Sequence, residues 1–179
     1  MDDASRATWV YLMREKGETS ELLRNFILMT KNQFGKNVKV VRSDDGSEFT
    51  SNSMKMFYQE QGILRQNSCV DTPQQNGMVE RKHCHVLNVA QALLFQAHLP
   101  KIFWGECVLT AAHLINRTPS KLLLGKTPYE VIYGQRPSYD HIRVFGTLCF
   151  ARNKLRSKDK FESRSRKCLF VGYPLGHKG

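Results

Sequence analysis

The chain has 179 residues, is 41% hydrophobic, and carries a net charge of +11 with a pI near 9.6. That is room for one ordinary domain and a small one. It favours a polyanionic partner, nucleic acid ahead of an anionic membrane surface, and no apolar run approaches the ~20 residues a membrane-spanning helix needs.

From the start, two acids follow Met1, so no signal peptide with a basic start is in view. Ala7 to Met13 (Thr8, Trp9, Val10, Tyr11, Leu12) predicts a strand, expected at a sheet edge where unpaired backbone recruits other chains. Lys16-Gly17 turns, and Thr19 or Ser20 is placed to cap a helix. Leu22, Leu23, Phe26, Ile27 and Met29 recur at helical spacing up to Phe34-Gly35. Asn37 to Arg42 reads as the next strand, and a strand–helix–strand unit of this length predicts a parallel pair with a right-handed crossover. Its β-branched run (Val38, Val40, Val41) ends at Asp44, Asp45 and Gly46. A carboxylate at a strand end, followed closely by Gly, reads as aimed into a cleft.

Ser51 to Gly62 predicts a short helix with Met54, Phe57 and Tyr58 on its apolar side, Ser51 as cap and Gly62 as stop. Ile63 to Ser68 is a short strand leading into a Pro/Gly turn over Asp71 to Gly77. A long helix then spans about Asn76 to His98, with Val79, Val86, Ala90, Leu93 and Ala97 as its apolar stripe. Glu80 borders that stripe, where a carboxylate faces a cleft while its helix stays packed; a first-turn glutamate favoured by the helix dipole is the plainer reading. Arg81 and Lys82 are either phosphate contacts or solvated charges. His83 and His85, two apart, fall on different helix faces and make a poor metal pair.

Leu99-Pro100 breaks the helix. Phe103 to Asn116 predicts another, with Trp104, Val108, Ala111, Ala112 and Ile115 inward. Arg117 to Thr127 is a loop, and Pro128 to Tyr133 a last short helix ending at Gly134. Beyond Pro137 the character changes: Val144-Phe145, Leu148 to Phe150 and Cys168 to Val171 read as short strands. Between them, Arg152 to Lys167 holds Arg152, Lys154, Arg156, Lys158, Lys160, Arg164, Arg166 and Lys167. This run is a DNA-contacting loop or a solvated basic hairpin, the former slightly favoured. The five cysteines are odd in number, scattered and without a C-x-x-C pair, which argues against a disulfide framework or a zinc finger.

Two stretches carry a resemblance. R-S-D-D-G-S-E-F (Arg42 to Phe49) and P-Q-Q-N-G-M-V-E-R (Pro73 to Arg81) set Asp44 and Glu80 with 35 residues between them. Together they resemble the catalytic core of retroviral and retrotransposon integrases, most closely the copia type. F-W-G-E-C, H-L-I-N-R-T-P-S, T-P-Y-E-V-I-Y-G and C-L-F-V-G-Y extend the likeness over nearly the whole chain.

The resemblance implies an α/β, ribonuclease-H-like integrase core lacking its first strand over residues 1–136, then part of a small SH3-like β-barrel over 137–179. It implies metal-dependent DNA strand transfer, with Asp44 and Glu80 as catalytic residues and ligands of Mg2+ or Mn2+. A third, upstream aspartate completes the family's set; Asp2 and Asp3 match its second strand, so this chain is expected to be inactive alone. Asp45 stands where the family usually has Asn. Expected nucleic-acid contacts are Arg81, Lys82, Arg156, Lys158, Lys160 and Arg164. DNA is the expected partner, with no membrane, a homo-oligomer in the intact family, and the nucleus as the location of an intact integrase. The competing reading is a non-catalytic DNA-binding or assembly module derived from a retroelement.

Overall fold

Helical spacing in the first half builds one small core. The structure, a computed structural model, describes residues 1–44, 46–67, 77–153 and 163–173. Helix α1 (Thr19–Phe34) ends at Gly35, whose φ of 61° lies in the left-handed region that glycine reaches without a Cβ penalty. Strand β1 (Val40–Ser43), helices α2 (Ser47–Thr50) and α3 (Asn52–Gln61), and strand β2 (Leu64–Asn67) follow. Ser51 caps α3, its Oγ accepting from the Met54 N–H at 3.4 Å. Ile27, Met54, Tyr58 and Ile63 are buried together, with Leu23, Phe26, Val38, Val41 and Phe57 packed against them. Met54 is wholly buried, a burial worth about 1.5–3 kcal/mol.

β1 and β2 pair in parallel, Val40 opposite Leu64 through Ser43 opposite Asn67. The parallel pair expected between the Ala7 to Met13 and Asn37 to Arg42 strands does not form; the parallel pair present joins β1 to β2, with α2 and α3 between its strands. The strand expected over Ala7 to Met13 does not form. A strand needs a neighbour to take its ladder bonds, and among the described residues the only pairings are β1 with β2 and β3 with β4. The Thr8 peptide is satisfied otherwise: its N–H donates to Asn116 Oδ1 (2.9 Å) and its C=O accepts from Asn116 Nδ2 (2.8 Å). One side-chain amide thus answers both backbone groups of a buried residue. The apolar side chains that follow pack on α1, Trp9 against Phe26 and Phe34 with ring centroids 5.1 and 6.3 Å apart. Neither Thr19 nor Ser20 caps α1, because a 3-10 turn over Lys16–Glu18 runs directly into it; the Ser20 hydroxyl instead donates to the Glu48 carbonyl at 2.7 Å.

The chain forms two compact units: Trp9–Cys84 with Met1, and Asp2–Thr8 with His85–Gly179. Helix α4 (Gly77–Gln96) buries Val86 and Ala90 and half-buries Leu93, with Ala97 half-buried just beyond it, as the stripe predicts. Val79 does not follow, being 51% exposed. It sits in the first turn beside exposed Glu80 and Arg81, ahead of the part of the helix that is packed. Helix α5 (Trp104–Ile115) buries Val108, Ala111, Ala112 and Ile115 as expected. Trp104, expected inward, is 57% exposed, like Ile102 at 78%: it falls on the solvent side of a first turn whose Gly105 and Cys107 are buried.

Helix α6 (Pro128–Tyr133) starts from a capping box. The Glu130 N–H donates to Thr127 Oγ1 (3.0 Å) and the Thr127 N–H to Glu130 Oε2 (2.8 Å). Those bonds hold the Glu130 carboxyl below the usual range. The last segment forms the antiparallel hairpin β3 (Leu148–Arg152) and β4 (Ser165–Leu169). Val144-Phe145, read as a strand, is irregular: the Thr147 N–H turns back to the Val144 carbonyl (3.3 Å), so the ladder starts only at Leu148. Phe145 is buried. Gly146 (φ 81°) lies so close to Ala97 that a Cβ there would sit 2.4 Å from the Ala97 Cβ, and one on Gly172 would sit 2.7 Å from Thr110 Oγ1. The chain on either side of the hairpin is therefore seated on α5 and on the residue that follows α4.

Candidate metal and nucleic-acid site

Asp44 directly follows β1 and is exposed, at the carboxyl end of a parallel strand where α/β folds place their ligands. Its Oδ1 accepts a long bond from the Gly46 N–H (3.4 Å), which folds the chain toward α2. A Cβ on Gly46 would fall 2.8–2.9 Å from the Glu48 carboxylate, the far end of a flexible side chain that folds back over this turn. Glu48 therefore brings a second carboxylate close to the Asp44 turn. In the sequence, the only signal of Glu48 is the D-x-G-x-E spacing from Asp44. Asp45 lies outside the described residues.

Glu80 stands exposed in the first turn of α4. Helix N-termini favour acidic residues in that turn, a preference that holds whether or not the residue also binds an ion. Arg81 is exposed, and its guanidinium folds back over Gly77, whose Cβ would lie 3.1 Å from it. Lys82 is half-buried. Asp44 and Glu80 belong to the same compact unit.

Carboxylate oxygens at two element ends are the donor type that hard divalent cations such as Mg2+ take, so the chemistry of Asp44 and Glu80 fits the expected ion. Among the described residues no group of three or more His, Cys, Asp or Glu is gathered for a metal. His83, Cys84 and His85 are all exposed.

Of the basic run, Arg152, Arg164, Arg166 and Lys167 are exposed on or beside the hairpin strands. Arg156, Lys158 and Lys160 lie outside the described residues, as does most of the Asp71 to Gly77 turn. Among the described residues, no helix is long and apolar enough to cross a membrane.

A second polar cluster joins residues too far apart in sequence for any motif to reveal. His113 stacks on Tyr173 (centroids 4.0 Å apart, 11° between planes). Its Nδ1 faces Arg117 Nη1 at 3.2 Å and its Nε2 faces His141 Nε2 at 3.3 Å. A guanidinium only donates, so Nδ1 accepts and the neutral His113 carries its proton on Nε2, donating to His141. Burial, with Arg117 and His141 adding to it, lowers the His113 pKa from 6.5 to about 4. The two Nε2 atoms are spaced like adjacent ligands of a tetrahedral metal. A metal on Nε2 would put a proton on Nδ1 facing the Arg117 N–H, so the pair is a hydrogen bond and not a metal centre.

With this geometry in place, three comparisons locate the chain. A family model described as the retroviral polymerase SH3-like domain matches residues 147–179. The retrovirus-related Pol polyprotein from transposon TNT 1-94 of Nicotiana tabacum is 36% identical over 173 residues, 97% of this chain and 13% of that protein. The one from transposon RE1 of Arabidopsis thaliana is 34% identical over 175 residues, 98% of this chain and 12% of its own length. The chain thus spans about an eighth of the curated relatives it matches. Among solved structures, the HTLV-2 integrase catalytic core domain in complex with magnesium (trimeric form) is similar with a TM-score of 0.55 at 21% identity, covering 73% of this chain and 80% of that one. The catalytic core domain of BIV integrase follows at 0.54 and 22%, with the same coverage. At these identities the likeness is one of fold: a ribonuclease-H-like integrase core, with an SH3-like segment after it.

Proposed function

We propose a function on the premise that this chain belongs to the retrovirus-related Pol polyproteins of copia-type plant transposons, a DNA-integration family. In this reading it is integrase sequence whose parent protein joins retroelement DNA to target DNA by strand transfer. The observation that carries the reading is the double motif: Asp44 at the end of β1 and Glu80 in the first turn of α4, both exposed and in one compact unit.

Asp44 and Glu80 would hold a divalent cation, Mg2+ or Mn2+. When bound, such an ion stabilises charge on the attacking and leaving oxygens of an in-line phosphoryl transfer. The two carboxylates supply charge and hard oxygens. Arg81, with its guanidinium near the start of α4, positions a phosphate beside Glu80, and Lys82 assists. The run from Arg152 to Lys167 holds the backbone through counterion release, without reading bases. DNA is the partner, and a homo-oligomer is the working form of the intact protein.

With two such ligands and no third acid gathered among the described residues, the 179 residues alone should bind the ion weakly. That same observation favours a second reading, a DNA-binding or assembly module without catalysis of its own. A joining assay tests the difference. Pure protein with a labelled DNA end and Mg2+ or Mn2+ should give no appreciable strand transfer. Metal-dependent joining that Glu80→Gln abolishes would overturn that expectation and leave the catalytic reading standing alone.

A further inference from the structure

Two of the five cysteines face each other. Cys149 on β3 and Cys168 on β4 are direct partners in the antiparallel register, both half-buried and both free thiols. The ladder tells which kind of pair they are. The Asn153 N–H donates to the Arg164 carbonyl (3.0 Å) and the Phe170 N–H to the Thr147 carbonyl (2.9 Å). Hydrogen-bonded pairs alternate along an antiparallel ladder, so counting inward from either end makes Cys149 and Cys168 a hydrogen-bonded pair. Such partners have Cα atoms about 5.5 Å apart, the spacing at which disulfides are found most often. Opposite Cβ atoms lie about 4.5–5.5 Å apart across a ladder, toward the upper end in a hydrogen-bonded pair, wide of the roughly 3.5–4.5 Å of a relaxed bridge. The bond therefore closes under some strain and opens readily.

Both thiols are partly exposed, and Arg166 lies two residues before Cys168, on the same face of β4. The Cys168 thiol donates to the Arg166 carbonyl (3.6 Å), which fixes it on the strand without consuming it. By contrast Cys107 is buried, and Cys84 is exposed on α4.

We propose that Cys149 and Cys168 are a redox-active dithiol, oxidised by a hydroperoxide to a disulfide that staples β3 to β4 and reopened by a dithiol reductant. One thiolate attacks a peroxide oxygen and the O–O bond breaks. The departing oxygen takes up a proton and leaves as water or an alcohol, while the sulfur becomes a sulfenic acid. The second thiol displaces its hydroxyl, and water leaves. Two electrons pass from the two sulfurs to the peroxide, and one disulfide forms. The bridge would tether the two strands that carry Arg152, Arg166 and Lys167.

The test uses the whole chain, reduced, exposed to graded hydrogen peroxide, then alkylated and mapped by peptide mass. Expected is the loss of two of the five thiols, a linked peptide pair containing Cys149 and Cys168, a mass lower by two hydrogens, and full recovery with dithiothreitol. Cys84→Ser should leave this unchanged, and Cys149→Ser or Cys168→Ser should abolish the link. The wild-type map decides even if a serine variant fails to fold. The proposal is overturned if both cysteines alkylate as before, if they overoxidise without linking, or if the link forms between chains or to another cysteine.

Discussion

Replacing Gly146 by Ala should be among the most damaging single-methyl changes in the second unit, and Gly125 provides its control. The two glycines have nearly the same backbone, φ 81° and φ 84°. An L-residue in that region costs about 1–2 kcal/mol at either position. They differ in space: a Cβ on Gly125 meets nothing within 4 Å, while one on Gly146 lies 2.4 Å from Ala97 Cβ and 3.2 Å from Ala97 Cα. Backbone lies behind Ala97 Cβ, so it cannot swing aside as a long side chain would. Overpacking of that kind adds roughly 1–3 kcal/mol. Gly125→Ala should therefore lose about 1–2 kcal/mol and Gly146→Ala about 2–5 kcal/mol. Urea unfolding measures both, with midpoints compared at a common slope. Adding Ala97→Gly to Gly146→Ala should recover part of the difference, although Ala97→Gly alone costs about 0.5–1 kcal/mol. If the two glycine variants fall equally, or Ala97→Gly recovers nothing, the segment before β3 is not seated against Ala97.

His113 makes stability depend on pH. Its folded pKa is depressed to about 4 from 6.5, so between those values the unfolded chain binds the proton more tightly; stability is full above the unfolded pKa and falls as pH drops through the window. Because the ring is only half-buried, screening reduces the effect to about 1–2 kcal/mol. Urea midpoints from pH 7 to pH 4 should decline in the parent and decline less in His113→Phe, and parallel curves would refute the assignment. DNA affinity should fall steeply with salt, by about 0.9 in log–log slope per phosphate neutralised on duplex DNA. Ser at Arg156, Lys158, Lys160 and Arg164 should remove more of that slope than replacing Arg81 and Lys82, and the reverse order would make the basic run a solvated linker.

Local chemistry made much of the fold legible. Gly35, Gly62 and Gly134 stop their helices, Ser51 caps α3, and Val86 and Ala90 mark the buried face of α4. Several of the differences turn on partners distant in sequence. Ala7 to Met13 has strand propensity, but propensity makes no ladder, and Asn116 takes the place of a neighbour at Thr8. Val79 and Trp104 fit their stripes by spacing, yet each sits in a first helical turn with its side chain toward solvent. Asp44 and Glu80 are legible as candidates because each sits at an element end that the sequence itself marks. Glu48 carries no such mark, and only the fold shows its carboxylate lying back over Gly46. The His113–His141 bond and the Cys149–Cys168 pair are contacts between residues far apart in the chain, invisible to periodicity.

Whether Asp44 and Glu80 act together on one divalent ion, as proposed, is decided by Mn2+ binding followed by electron paramagnetic resonance. Titrating Mn2+ into the parent, Asp44→Asn and Glu80→Gln at low ionic strength separates free from bound ion. One weak site is expected in the parent, weakened roughly tenfold or more, about 1.4 kcal/mol, by either substitution. Equal binding by all three proteins, or loss in one variant but not the other, would contradict a shared site.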